Sequence, residues 1–112
     1  MRRATAPGQQ LKGHLHMLLL AVLEAGPAHG YEVIAALRGR SAGEFDLPEG
    51  TVYPALHRLE TDGELTSSWS IEAGRRRRTY RLTAAGHTVL AAQRSEWGRF
   101  SHAVRSVLAV SA

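Results

Sequence analysis

A chain of 112 residues can bury one hydrophobic core but not two. With 44% hydrophobic and 21% charged residues it is too apolar to be disordered, and its longest apolar run, residues 17–23, falls well short of the roughly 20 residues that cross a bilayer. The absence of cysteine removes disulfides, thiolate zinc sites and Cys nucleophiles together, and the formal charge of +4, carried by Arg at every basic position except Lys12, suits an anionic partner such as nucleic acid.

Residues 1–10 mix Arg, Pro, Gly and Gln without periodicity and read as a flexible arm. Arg2, Arg3 and Lys12 ahead of the Leu-rich stretch resemble the opening of a secretory signal. His14 and His16 interrupt that run, however, and cleavage would remove the most apolar segment, so a cytoplasmic location is expected. A helix is predicted over residues 11–25, stopped by Gly26 and Pro27. Its apolar residues cover nearly the whole circumference, which predicts cover on two sides: its own domain on one and a second subunit on the other. A second helix is predicted over residues 30–38, with Val33, Ile34 and Leu37 on one face and Gly39 as its stop, followed by a loop over residues 40–46.

Pro48 and Glu49 look like the start of a third helix, whose buried side is marked by Val52, Leu56 and Leu59 and whose end is marked by Gly63. Pro54 is awkward inside a helix, and is best accommodated if the regular helix begins near Thr51 as N-cap, placing Pro54 in the first turn. The opposite side carries Gly50, Pro54, His57 and Thr61, flanked by Tyr53 and Arg58. Beyond Gly63, alternation at Leu65, Ser67, Trp69 and Ile71 predicts a strand, residues 72–74 a turn, and residues 75–82 the returning strand. Facing Tyr80 and Leu82 toward Leu65 and Trp69 puts Arg76 and Arg78 on one face of the hairpin, with Arg75, Arg77 and Arg81 on the other. Thr83 is the predicted N-cap of a last helix reaching about Val110, roughly 40 Å long. Leu90, Trp97, Phe100, Val104 and Val107 form a coiled-coil-like seam on it, broken by Gln93, that wants a partner helix.

Three helices followed by a hairpin is the order of a winged helix-turn-helix, in which the third helix enters the major groove and the hairpin is the wing. The expected fold is mainly α with a small β-hairpin: an arm over residues 1–10, a winged helix-turn-helix over residues 11–82 and a C-terminal dimerisation helix over residues 83–112. Its segments His29-Gly30-Tyr31-Glu32, Gly50-Thr51-Val52-Tyr53-Pro54-Ala55-Leu56-His57-Arg58-Leu59-Glu60 and Arg78-Thr79-Tyr80-Arg81-Leu82-Thr83 with Gly86, together with Trp97, resemble the PadR family of bacterial transcriptional regulators, specifically its short subfamily with one C-terminal helix. The run from Gly50 to Leu56 is specific, whereas Leu-Thr-x-x-Gly recurs in many winged-helix proteins, and the four successive arginines at the wing are denser than the resemblance leads one to expect. The resemblance implies a homodimeric repressor whose first and last helices form the interface and which, in some members, releases DNA on binding a small effector.

The candidate contacts to double-stranded DNA are Thr51, Tyr53, His57 and Arg58 on the third helix and Arg75, Arg76, Arg77 and Arg78 on the wing. Arg is the usual reader of guanine, Tyr and Thr suit phosphates, and a cationic wing tip suits phosphates or the minor groove. The competing readings are packing of Tyr53 against the second helix or the wing, idle exposure of His57, and a wing charged only to block edge-to-edge aggregation. Leu15, Leu19, Leu90, Trp97, Phe100, Val104 and Val107 are the expected dimer interface. Trp97 and Phe100 are also candidate contacts for a planar apolar effector between subunits, with Gly98 supplying space; the alternative is that they merely fill the seam.

His14 and His16 point about 200° apart on a helix, and neither carboxylate nor Cys completes a set, so no metal site is expected. No phosphate loop, nucleophile elbow or paired carboxylates are found, so no catalytic residues, cofactor or enzyme activity are expected. The expected function is sequence-specific regulation as a homodimeric repressor on a pseudo-palindromic operator. The alternative is a winged-helix module that binds nucleic acid non-specifically or docks protein.

Overall fold

The computed structural model describes residues 9–109, so the expected arm falls outside it except for its last two residues, which open the first helix. The elements in chain order are α1 (Gln9–Glu24), β1 (Ala28–His29), α2 (Gly30–Arg40), α3 (Glu49–Thr61), β2 (Leu65–Glu72), β3 (Arg75–Leu82) and α4 (Ala84–Leu108). The helices surround one core built on Leu19, Leu20, Val33, Val52, Leu56, Leu59 and Leu90, with a small antiparallel sheet on its flank in the order β1-β3-β2.

Why α1 can be apolar all round is answered within a single chain. Leu15, Leu19, Leu20, Val22 and Leu23 are buried, and Leu90 of α4 is buried in the same cluster. Leu15, Leu19 and Leu90, expected at a subunit interface, are therefore core residues of one protomer; the first turns of α4 supply the cover that the sequence reading assigned to a second subunit. A paired Arg94 and Glu24, with Arg94 Nη2 donating to Glu24 Oε1 at 2.9 Å, ties α4 to the end of α1. Beyond that tie α4 projects: the radius of gyration is 15.9 Å, above the roughly 13 Å of a compact domain this size. Trp97, Phe100, Val104, Val107 and Leu108 stay exposed along it.

Several boundaries differ from expectation for local reasons. Gly39 lies inside α2, not at its end, because the stop is made later: Ser41 Oγ donates to the Leu37 carbonyl at 2.7 Å, and Ala42 and Gly43 then turn left-handed. Helix α3 starts at Glu49 and not at Thr51, since the extended Pro48 caps it with a carbonyl that accepts from the N–H groups of Thr51 (3.0 Å) and Val52 (3.1 Å). Pro54 thus sits inside the helix and deprives the Gly50 carbonyl of its i+4 partner. Both residues lie on the exposed side, where water can satisfy that carbonyl.

The hairpin follows the predicted register, with Leu65 opposite Leu82, Ser67 opposite Tyr80, Trp69 opposite Arg78 and Ile71 opposite Arg76. Ala73 (φ 53°) and Gly74 (φ 77°) form the two-residue turn. Strand β1 is an addition that the sequence reading missed, pairing Ala28 with Tyr80 and His29 with Thr79.

At the base of the wing Thr83 Oγ1 accepts from the Gly86 N–H at 3.0 Å, as expected of an N-cap, and donates to the Gly63 carbonyl at 2.7 Å. Gly86 is pressed so closely on this junction that a Cβ there would run into the Glu64 carbonyl oxygen and, at 2.9 Å, into Leu82 Cδ2. The same Glu64 carbonyl accepts from the Thr83 N–H, so backbone on both sides resists movement. Gly86→Ala is expected to destabilise the fold by about 2 kcal/mol, the scale of an overpacked core site, measurable as a lowered urea midpoint at unchanged slope.

Candidate nucleic-acid interface

Because Val52, Ala55, Leu56 and Leu59 anchor α3 in the core, its other side is turned out as a continuous face of Gly50, Tyr53, Pro54, His57, Arg58 and Thr61. Thr51 is half-buried at its edge. Arg58 is well exposed, with Nε 3.4 Å from Asp62 Oδ2, an exposed i,i+4 pair that is weak and readily exchanged for another acceptor. Tyr53 lays its ring against the first residue of α2, since a Cβ on Gly30 would collide with Tyr53 Cε1. Its ring is thus partly a packing element between the two helices, while the residue remains exposed enough to reach a partner.

The wing stands beside this face and is fastened to it. Ser67 Oγ donates to Glu60 Oε2 at 2.6 Å, Arg78 Nε donates to Ser67 Oγ at 2.8 Å, and Arg78 Nη2 reaches Glu60 Oε1 at 3.2 Å. Arg78, expected among the phosphate contacts, is therefore turned to α3 and fixes the pose of the wing against it. The register settles the other arginines: Arg76 shares a face with Trp69 and Ile71, and its guanidinium carbon lies 4.4 Å from the centre of a Trp69 ring, while Arg75 and Arg77 occupy the opposite face. Burial raises the pKa of the Tyr80 hydroxyl at the wing's base, so it stays protonated.

The outer edge of the sheet is held by His29, a residue whose role the sequence reading did not find. Its Nε2 lies 2.9 Å from Glu72 Oε1 at the tip of β2, its Nδ1 3.3 Å from Thr79 Oγ1, and its backbone N–H donates to Glu32 Oε1 at 2.8 Å. The hydrogen bond with His29, then the charges of His29 and Arg77 and the Ser70 hydroxyl, hold the Glu72 carboxyl below its ordinary value, and Arg94 does the same to Glu24. A carboxyl depressed in the folded state contributes stability that is present above its unfolded value and is lost as pH falls through the folded one. Glu24→Gln and Glu72→Gln should therefore be less stable than the parent at about pH 6 and lose less on descent below pH 4.5, checked by urea unfolding across that range.

Between them, α1 and α4 border a groove of about 250 Å³ lined by Gly13, His14, His16, Met17, Gln93, Glu96, Trp97 and Phe100. The His14 ring meets Trp97 edge-on with centroids 4.9 Å apart, and Phe100 follows at 5.9 Å. Trp97 and Phe100 are thus brought together as expected, but the space beside them comes from Gly13 and not from Gly98, which does not line the groove. Gln93 Oε1, the polar break in the seam, is buried without a hydrogen-bond partner. His14 and His16 both border the groove although they stand two positions apart, and no group of three or more metal-ligating His, Cys, Asp or Glu residues occurs among the described residues.

Three helices with the third turned outward and a basic three-stranded sheet beside it define a winged-helix protein. The sequence matches the transcriptional regulator PadR-like family over residues 19–92, more than half of the chain, and the protein belongs to that family. A transcriptional regulator of Mycobacterium tuberculosis is 53% identical over 50 residues, which make up 45% of this chain and 47% of that protein, so the match spans about half of that relative's length. Among solved structures, a transcriptional regulator from Clostridium thermocellum superposes with a TM-score of 0.82 at 26% identity, covering 88% of this chain and 97% of the other. A PadR family regulator from Eggerthella lenta gives 0.80 at 30% identity, covering 92% and 88%. No helix among the described residues is long and apolar enough to cross a membrane.

Proposed function

We propose that the protein is a cytoplasmic, homodimeric repressor that places α3 in the major groove of a pseudo-palindromic operator and sets the wing on the flanking backbone. The observation that carries this reading is the outward face of α3, with Arg58 and His57 at its centre and a wing locked to the same side through Glu60, Ser67 and Arg78. An Arg at an exposed helix face supplies bidentate reading of guanine, and Arg75 and Arg77 supply counterion release. The dimer uses the exposed Trp97, Phe100, Val104 and Val107 of α4, since an apolar helix face of this length is normally covered. Sequencing the fragments that the protein retains from its own genome tests the function: shared half-sites about 34–36 Å or a multiple apart are expected. Retention without a shared site would instead favour the non-specific or docking module.

The groove beside Trp97 supports a second reading, control by a planar aromatic effector. Trp97, Phe100 and His14 offer ring faces and edges, and a ligand there would act by preferring a dimer geometry whose recognition helices are wrongly spaced. Its effect on DNA equals its differential affinity for the two geometries, and DNA weakens the ligand by the same factor. In a Trp69→Phe background, planar compounds should quench Trp97 and shift the DNA titration together; a broad panel doing neither makes Trp97 a packing residue.

A further inference from the structure

The wing carries more apolar surface than a phosphate clamp needs. Ile71 is 74% exposed and Trp69 54% exposed, on the face of the hairpin that continues outward from the Glu60–Ser67–Arg78 tie to α3. Neither is absorbed by the core, and a β-strand tip gains nothing in solubility from Ile and Trp side chains. Between them the Arg76 guanidinium is held over the indole at 4.4 Å, with Arg78 on the same ring at 5.3 Å. We infer that Ile71 and Arg76, backed by Trp69, form a minor-groove reader that selects A·T pairs flanking each half-site, an inference that rests on the DNA-binding reading above.

The dimensions decide which residues take part. Two paired strands lie about 4.8 Å apart before any side chain is added, so the body of the wing cannot enter a minor groove about 6 Å wide. Side chains of the rungs next to the turn can. Ile71 opposite Arg76 is one rung behind the closing pair of Glu72 and Arg75, and Trp69 is the next residue back on the same face. Trp69 therefore stays at the lip of the groove, where its ring meets deoxyribose and limits the conformations open to the Arg76 guanidinium.

The partner is chosen by charge and by chemistry. With Arg76 on the same face and Arg75, Arg77 and Arg81 on the other face of the same hairpin, the wing carries a positive field that repels a second copy of itself and fits a surface whose walls are anionic and whose lining is sugar C–H. The minor groove supplies both. A·T pairs show only acceptors there, and narrow A·T-rich stretches concentrate the negative potential that draws an inserted Arg. A G·C pair adds the N2 amino group, a donor that opposes a guanidinium and obstructs an isoleucine.

The test uses the full chain and duplexes selected by it from a randomised pool, with the selected half-sites then placed between A·T, G·C or inosine·C flanks. Inosine·C lacks the N2 amino group while keeping the major-groove edge of G·C, so it separates the two grooves. The parent protein is expected to bind A·T flanks about tenfold more tightly than G·C flanks, with inosine·C close to A·T. Ile71→Thr and Arg76→Gln alter exposed side chains and should keep the helical spectrum and urea midpoint of the parent while reducing the preference to about twofold or less. Equal binding to all three flanks, inosine·C behaving as G·C, or variants that keep the full preference overturns the inference and leaves DNA binding by α3 standing. Failure to enrich any duplex overturns both, and selective capture of an acidic protein by the Trp69–Ile71 face with no flank preference identifies a docking surface instead.

Discussion

Val104→Asp is expected to yield a folded chain that sediments as a monomer at micromolar concentration and binds its operator about 100-fold to 10,000-fold more weakly than the parent. Phe100, Ala103, Val104, Val107 and Leu108 line an apolar groove on the projecting half of α4. A carboxylate introduced there is solvated in the monomer and would be stripped of water against a partner helix, a burial that costs several kcal/mol unless the charge is paired. The loss on DNA follows from arithmetic more than from contacts: a dimer presents its second recognition helix at high effective concentration, and a monomer forfeits that avidity. The choice of residue matters, because the same substitution at Leu19 or Leu90 would place the charge in the core of one chain and unfold it. Sedimentation velocity and a titration on a full and a half operator check both parts. A Val104→Asp protein that remained dimeric would place the interface elsewhere.

That contrast between Val104 and Leu90 also marks where sequence reading reaches its limit. Both fall on one helical seam, and the spacing that identifies the seam is local; which half is covered by α1 depends on the path of the chain through the whole fold. The hairpin was legible because a period of two, a turn signal over residues 72–74, of which Glu72 proves to be the last residue of β2, and an N-cap at Thr83 are all local signals that agree with one another. Strand β1 was not, since two residues carry no periodicity and are extended only because β3 and the His29–Glu72 contact hold them. Pro54 misled in the same way: a rule about helix interiors was applied without knowing that the freed carbonyl faces water. In the candidate interface the side of α3 that turns outward could be read from Val52, Leu56 and Leu59. The engagement of Arg78 by Glu60 could not, because it joins residues 18 positions apart through a sheet.

Two sets of arginines should fail differently on DNA, and the difference separates base reading from phosphate contact. Arg58→Ala is expected to weaken operator binding by about 1–3 kcal/mol while leaving random DNA nearly unaffected, since its competing pair with Asp62 is exposed and yields to a guanine edge at little cost. Arg75→Gln combined with Arg77→Gln should weaken operator and random DNA alike and reduce the slope of log affinity against log salt by about 1.8, or 0.9 for each phosphate contact removed. These two were chosen from the register: they share the face away from Trp69, and neither takes part in the tie between Glu60, Ser67 and Arg78 that holds the wing in place. Gln is shorter than Arg but keeps its aliphatic stem and a polar end while removing the charge, so a change in slope with an unchanged urea midpoint reports counterions and not a collapsed strand. Arg78→Gln supplies the comparison. It should loosen the wing and lower affinity with a smaller change in slope, because its charge is already met by Glu60 at 3.2 Å. Titrations at four or more salt concentrations on operator and random duplexes measure all three. If the double variant kept the parental slope, the phosphate role of Arg75 and Arg77 would be wrong. If Arg58→Ala lowered both duplexes equally, α3 would be a backbone-binding helix and the reading of bases would have to lie elsewhere.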